Sequence, residues 1–194
     1  DRYREQAYDV ILGSAKKAFD SDAESQKTKD RYGDSDIGKN LLLARRLVEY
    51  GTRFVTINYG GWDMHSNIKK ALESRVPPAD LAISAFIEDI YQRGLNEKVL
   101  LVVTGEFGRT KLNANGGRDH WPSISPLLLS GGNYQAGRTI GKADKSYSPT
   151  ENPVTPIDLA ALMFDHYGID KELQRVDNGG RPRYLLEGEG KVFL

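Results

Sequence analysis

The sequence contains no cysteine, which excludes thiol catalysis, cysteine-based zinc sites and disulfide bonds. It also lacks an excess of either charge, since 27 basic and 27 acidic residues give a formal net charge of +0. The basic surface typical of nucleic-acid-binding proteins is therefore absent from the composition. No apolar run approaches the roughly 18 residues of a membrane-spanning helix. The lack of cysteine leaves the compartment open, because exported proteins need not contain disulfides.

The residues that are present fit one soluble α/β domain. The chain has 194 residues, of which 39% are hydrophobic, and this is enough to form a core. It begins "DRYREQAYDVILGSAKKAFD", without a methionine or a signal-like segment, and its apolar spacing predicts a helix near residue 1. We therefore expect the sequence to be a piece of a longer protein. Residues 20–36 are polar and are predicted to form an exposed connector or lid.

The first half of the chain predicts a strand–helix–strand unit. An amphipathic helix, "IGKNLLLARRLVEYG", has Asp36 as its expected N-cap and Gly51 as its expected end. The strand "TRFVTINY" follows it, and then come a short helix near 67–75, a break at Pro77 and Pro78, and a second helix. The run "KVLLVVTG" is typical of a central strand buried on both faces. Because a helical crossover joins the two strands, we expect them to be parallel.

Two further elements are predicted in the second half. The segment "SISPLLLSGG" indicates a strand. The segment "TPIDLAALMFDHYGI" indicates a helix with Thr155 as its N-cap and Pro156 at its first position.

Polar side chains follow both predicted parallel strands at the edge where α/β sheets bind ligands. Gly60 and Gly61 allow a sharp turn after the first strand. The carboxylate and imidazole groups form an oxygen and nitrogen set suited to Zn²⁺, Mn²⁺, Mg²⁺ or Ca²⁺. The predicted metal ligands are Asp63, His65, Glu106, Asp119 and His120.

Each of these residues also has a purely structural interpretation. Asp63 could cap the following helix, and His65 could bond to a backbone carbonyl. Glu106 could form a salt bridge with Arg109 or Arg118, since an unpaired buried carboxylate is costly. The two arginines could instead bind a phosphate or sulfate, or only brace the loops.

Other candidates for chemistry are weaker. Asp165 and His166 lie near the end of an amphipathic helix, where a histidine favours the helix dipole, so we interpret them as structural. Ser66 and Thr104 lack the strained nucleophile elbow G-x-S-x-G, so neither is predicted to be a nucleophile.

The succession "RFVTINYGGWDMHSN", "VLLVVTGEFGRT", "NGGRDHWP", "LLLSGG" and "PVTPIDLAALMFDHYGID" resembles a bacterial family catalogued as domain of unknown function 1501. The resemblance runs from about residue 33 to the C-terminus. That family is placed among alkaline-phosphatase-like and sulfatase-like folds. The resemblance implies a three-layer α/β/α fold on a largely parallel sheet, with a divalent-metal site at the strand ends.

The resemblance also implies an incomplete domain. Residues 1–36 would form an N-terminal helix and polar connector, and residues 37–194 the C-terminal part of an alkaline-phosphatase-like α/β domain. In the phosphatase and sulfatase relatives the strand like "VLLVVTG" leads into Asp-His-Gly, whereas here the sequence reads Glu106-Phe107-Gly108. The relatives carry their nucleophile on an early strand, so it is expected outside this chain. The remainder of the domain would then be a partner, and export by a twin-arginine signal is expected.

Two functional hypotheses follow. The first is a metal-dependent hydrolase in which the five predicted ligands hold a divalent ion, while Arg109 and Arg118 bind a small anionic ester or glycan-type substrate. The second is a non-catalytic exported module whose polar loops bind a ligand or partner. A third possibility, that the polar cluster only braces the fold, also stays open.

Overall fold

A computed structural model describes residues 4, 5, 8 and 13–194. The helix predicted at the start of the chain falls mainly on residues outside this set. Two 3₁₀ helices occupy Ser14–Phe19 and Ser21–Ala23. Four α-helices are described from end to end: α1 (Gln26–Tyr32), α2 (Asp36–Glu49), α3 (Ile68–Gln92) and α4 (Pro156–His166). The strands are β1 (Leu100–Thr104), β2 (Gly108–Leu112), β3 (Arg118–Trp121), β4 (Leu127–Gly131), β5 (Lys142–Ala143), β6 (Pro149–Glu151), β7 (Gln174–Val176) and β8 (Pro182–Tyr184).

The strands form small two-stranded sheets. β1 pairs with β4 in antiparallel register, with Val102 opposite Leu129. β5 pairs antiparallel with β6, β7 pairs antiparallel with β8, and β2 pairs with β3. The predicted three-layer α/β/α architecture on a largely parallel sheet is therefore wrong for the described residues. Local sequence located β1 and β4 correctly, but a strand's direction depends on the partner it finds, which local pattern does not specify.

The predicted strand "TRFVTINY" is also wrong. Residues 52–64 carry no helix or strand, although burial alternates along 55–59 as it would in a strand. Among the described residues, none forms a hydrogen bond with the backbone of 54–58, so the segment has no ladder. The predicted parallel strand–helix–strand unit is absent for this reason.

The chain divides into two compact units. The first comprises Asp1–Val99 and Lys111–Asp119, and the second comprises Leu100–Thr110 and His120–Leu194. In the first unit, α1, α2 and α3 pack together around an apolar core. Tyr32, Leu41, Ala82, Phe86 and Ile90 are among the buried side chains.

Helix α2 confirms the predicted amphipathic helix with a small shift at its start. Its N-cap is Ser35, whose hydroxyl accepts from the Gly38 amide at 3.2 Å, and Asp36 occupies the first turn. The chain leaves the helix at Gly51, where φ is +93°, as the sequence predicted. The connector predicted over 20–36 is largely helical, because Ser25 caps α1 in the same way.

Helix α3 continues without interruption through the break predicted at Pro77 and Pro78. Pro77 and Pro78 lie inside this 25-residue helix, so two backbone donors are missing from its interior. Ala79, Ala82 and Ala85 are buried downstream of the prolines, and their small size lets neighbouring helices approach closely. We attribute the continuity of α3 to this packing, which offsets the lost hydrogen bonds.

Charged groups are buried among the helices of the first unit. The Arg45 side chain is 1% exposed and lies within 3 Å of carboxylate oxygens of Glu24, Glu49 and Asp89. The Tyr32 hydroxyl donates to Asp89 at 3.0 Å. The network ties α2 to α3 and to the turn before α1, so removing its central cation would leave acidic groups uncompensated.

In the second unit, β1 and β4 pair and α4 follows later in the chain. Helix α4 confirms the predicted cap: the Thr155 hydroxyl accepts from the Asp158 amide at 3.2 Å, and Asp158 accepts from the Thr155 amide at 2.8 Å. The Tyr134 hydroxyl donates to Asp165 at 3.0 Å, which supports a structural role for that aspartate. No helix in the described part of the chain is both long and apolar enough to cross a bilayer.

Candidate functional site

The loop that carries Asp63 and His65 is anchored to helix α3. Arg75 donates from Nη1 to the Gly60 carbonyl at 2.8 Å, and the Tyr59 hydroxyl donates to the Arg75 carbonyl at 3.1 Å. Gly61 has φ of +85°, and a Cβ there would lie 2.2 Å from an Arg75 nitrogen. The left-handed backbone, more than the flexible Arg75 side chain, therefore favours glycine at this hinge.

A second segment of the first unit docks against this loop. We define the hairpin tip as residues 113–117, which connect β2 to β3. The amides of Asn67 and Ile68 donate to carbonyls of the tip, at 3.2 Å to Asn115 and 2.9 Å to Gly116. The Arg118 amide donates to the Met64 carbonyl at 2.9 Å. These backbone bonds fix the start of β3 beside the loop that holds His65.

This docking brings three predicted ligands together. His65 Nε2 lies 3.0 Å from Asp63 Oδ1, and His65 Nδ1 lies 2.7 Å from Asp119 Oδ1. An ionised carboxylate only accepts, so both contacts are hydrogen bonds only when both ring nitrogens carry protons. Two carboxylates thus flank one imidazole, in an arrangement that favours a positive charge.

The cluster is open to solvent. Side-chain exposure is 63% for Asp63, 47% for His65 and 56% for Asp119. Exposed ion pairs of this kind contribute less than about 1 kcal/mol to folding, so the cluster adds little to stability. Its exposure leaves the donor atoms accessible to an ion from solution.

The chemistry of this donor set fits a divalent metal ion. An imidazole nitrogen and a carboxylate are ligand types found for Zn²⁺ and Mn²⁺, and a metal between His65 Nε2 and Asp63 would replace the Nε2 proton. Asp119 faces the opposite nitrogen, Nδ1, where it would accept the remaining ring proton and fix the orientation of the ring. Neither structural alternative for Asp63 and His65 accounts for these contacts. Asn67, not Asp63, is the N-cap residue of α3, and both nitrogens of His65 face carboxylates.

The remaining predicted site residues divide between the units. Arg118 belongs to the first unit and precedes Asp119 in β3. Glu106, Arg109 and His120 belong to the second unit. There the Phe107 and His120 rings lie 4.2 Å apart, and the Arg109 guanidinium lies 5.3 Å from the Phe107 ring centre.

Glu106 does not form the salt bridge considered for it. It is exposed and has no ion pair with any described residue. Water solvates an exposed carboxylate, so the cost of burial that would demand a cation does not arise. The Arg109 guanidinium lies over an aromatic ring, a position that stabilises it by a cation–π interaction.

The two hydroxyl residues considered from the sequence, Ser66 and Thr104, lie in different units. Ser66 forms an isolated bridge with Gly116. In the second unit, Thr104 Oγ1 donates to the carbonyls of Gly105 at 3.1 Å and Pro126 at 3.3 Å. The bridge involves the Ser66 backbone and not its hydroxyl, so the prediction that neither residue is a nucleophile stays a prediction.

Two residues of the hairpin tip escaped sequence reasoning. Asn113 donates from Nδ2 to the His65 carbonyl at 3.1 Å and lies 3.3 Å from Asp119 Oδ1. A Cβ on Gly117 would lie 2.0 Å from the His65 carbonyl carbon, so only glycine permits this approach. The segment "NANGG" did contain a turn signal for Asn113, because asparagine side chains often form hydrogen bonds with the backbone two residues on.

The family of the chain follows from comparison with known proteins. The family described as "Protein of unknown function (DUF1501)" has a model that matches residues 1–193. The chain belongs to this family. No curated protein and no solved structure matches it. Membership confirms the family named from the sequence motifs, while the family description assigns no activity.

Proposed function

We propose that this DUF1501 chain binds a divalent metal ion through Asp63 and Nε2 of His65, while Asp119 holds the other ring nitrogen, Nδ1. The observation that supports this most directly is the placement of one imidazole between two carboxylates, at 3.0 and 2.7 Å. The three side chains come from two segments that backbone hydrogen bonds hold together. Glu106 and His120, which lie in the second unit, remain predicted ligands from the sequence alone.

The proposed activity is metal-dependent hydrolysis of a small anionic ester, a phosphate or a sulfate. A bound divalent ion would polarise the ester oxygen and activate water. Arg118, one residue before Asp119, would bind an anionic oxygen of the substrate, and Arg109 is the second predicted anion-binding residue. The sulfatase-like relationship and export from the cytoplasm are parts of the proposal that rest on the sequence resemblance.

A non-catalytic binding module is the second candidate. The high exposure of Asp63 and Asp119 favours it, because hydrolases commonly exclude water from the reacting groups. In this alternative the metal or the polar loops would bind a ligand without turnover.

Metal binding is tested by titrating the chain with Zn²⁺ and with Mn²⁺ in a calorimeter. We expect one tight site in the wild type, with affinity reduced at least about tenfold in Asp119→Asn and in His65→Gln. Asp34→Asn and His166→Gln are matched controls, because Asp34 is exposed without an ion pair to a described residue and His166 lies in α4 of the second unit, where its ring packs edge-on against Tyr167. Equal affinities in all five proteins would exclude the proposed ligands.

Turnover is tested with a panel of aryl phosphates and aryl sulfates, each with Zn²⁺, Mn²⁺, Mg²⁺ or Ca²⁺. If the chain is a hydrolase, the wild type should release the aryl alcohol. We expect this release to be lost in His65→Gln and kept in His166→Gln. Metal binding without turnover on any ester would instead support the binding module.

A further inference from the structure

The Asn113 side chain lies between the hairpin tip and the proposed metal ligands. Its Oδ1 accepts from the amides of Asn115 and Gly117, both at 3.0 Å. Its Nδ2 donates to the His65 carbonyl at 3.1 Å and faces both carboxylate oxygens of Asp119, at 3.3 and 3.4 Å. One half of the amide therefore holds the tip, and the other half faces the ligands.

These partners allow one orientation of the amide. Backbone N–H groups only donate, so they require the oxygen, and the carbonyl and carboxylate oxygens require the nitrogen. The reversed amide would place Nδ2 against two donors and Oδ1 against three acceptors. The donor half of Asn113 is thus directed at Asp119 by the contacts on its other side.

The hairpin tip docks against the His65 loop without the Nδ2 group of Asn113. The backbone bonds from Asn67, Ile68 and Arg118 already join the tip and the start of β3 to the loop around His65. The Asp119 carboxylate is on an exposed side chain, and His65 and Asn113 are among its partners. Asn113 therefore affects the orientation of that carboxylate more than the position of the backbone.

We propose that Asn113 is a positioning residue that orients the Asp119 carboxylate against Nδ1 of His65, and so fixes the ring whose Nε2 would bind a metal ion. The inference rests on the proposed function. A carboxylate that accepts the second ring N–H of a metal-binding histidine fixes the ring, and loss of such outer partners commonly lowers metal affinity by about 10- to 100-fold. Asn113 occupies this place without being a ligand itself.

The variant Asn113→Ser separates orientation from folding of the tip. A serine hydroxyl accepts from the backbone two residues on, as asparagine does more strongly, but it is too short to reach Asp119. We expect Asn113→Ser to keep the amide protection of Asn115, two residues on, and the melting temperature, yet to bind Zn²⁺ at least about tenfold more weakly. Asn115→Ala is the matched control, because its side chain makes no hydrogen bond with a described residue, and it should bind Zn²⁺ like the wild type. Wild-type Zn²⁺ affinity in Asn113→Ser would overturn the inference.

Hydrogen exchange of the metal-free wild type tests the inference without a metal. The side-chain amide protons of Asn113 should exchange more slowly than those of Asn115, because only the former are hydrogen-bonded. Equal exchange rates would overturn the inference even if Zn²⁺ binds. Failure of the wild type to bind Zn²⁺ would overturn the proposed function, and the exchange rates would still decide whether Asn113 holds Asp119.

Discussion

The Nδ1 nitrogen of His65 lies 2.7 Å from Asp119 Oδ1, although 54 positions separate the two residues in the chain. The contact exists because the hairpin tip docks onto the loop after Trp62 through backbone hydrogen bonds. Since an exposed ion pair contributes little to folding, stability alone does not account for this convergence. A divalent ion bound at Nε2 of His65 does account for it, because the Asp119 carboxylate would then hold the other ring nitrogen and fix the ring, and this is the basis of the proposed function.

Gly117→Ala is expected to separate the hairpin tip from the His65 loop. The added Cβ would lie 2.0 Å from a backbone carbon, which cannot move as freely as a side chain. We expect a loss of about 1–3 kcal/mol in the free energy of unfolding, measured in urea, together with weaker Zn²⁺ binding.

Gly60→Ala provides the control for that substitution. A Cβ at Gly60 meets nothing closer than 3.8 Å, so the variant should match the wild type in stability and Zn²⁺ affinity. Wild-type behaviour of Gly117→Ala would show that the tip does not approach His65 as described.

Arg45→Ala is expected to destabilise the first unit strongly. The substitution leaves the carboxylates of Glu24, Glu49 and Asp89 without the cation that lies among them. Breaking a buried ion pair in this way costs about 3–5 kcal/mol in the free energy of unfolding. Arg31→Ala is the comparison, because Arg31 pairs with Glu88 at the surface and should cost under about 1 kcal/mol. Similar costs for both arginines would contradict the burial of the network.

Stability is expected to fall in acid because of Glu24. Burial raises its pKa, but hydrogen bonds and charges from Arg45 and Arg46 outweigh burial and hold the pKa below the ordinary value of 4.5. The unfolded chain then binds a proton before the folded chain does. The stabilisation is complete above the ordinary pKa and is lost as pH falls through the lowered one.

Urea unfolding between pH 7 and pH 3 measures this dependence. In Glu24→Gln the fall in stability over the acidic range should be smaller than in the wild type. Asp22→Asn should retain the wild-type dependence, because Asp22 is 97% exposed and its only described ion pair is with Lys29 at 3.5 Å. An unchanged acid profile in Glu24→Gln would mean that another group is responsible.

Local signals predicted individual elements better than their arrangement. The cap and periodicity of α4 and the apolar run of β1 were sufficient to predict these two elements, because both signals depend on neighbours in sequence. The segment 52–59 has the composition of a strand, but a strand requires a partner, and none pairs with it among the described residues. The predicted helix break at Pro77 and Pro78 was wrong, because the packing of α3 outweighs the low helix propensity of proline.

The candidate site was predicted in part for the same reason. The sequence identified Asp63, His65 and Asp119 by their chemistry, and the structure brings them together. We expected parallel strands that end at one sheet edge to bring these residues together, and this was wrong. Backbone hydrogen bonds between a loop and the hairpin tip bring them together instead. Asn113 was missed because its role depends on which groups the fold places around an ordinary turn residue.

The most direct measurement for the proposed metal site is a Zn²⁺ titration followed by nitrogen NMR of the histidine side chains. The wild-type chain has three histidines, so the His65 signals are assigned by their loss in His65→Gln. We predict that stoichiometric Zn²⁺ shifts the ring nitrogens of His65 and leaves those of His166 unchanged. A chain that binds Zn²⁺ without any change at His65, or that binds none, would contradict the proposal.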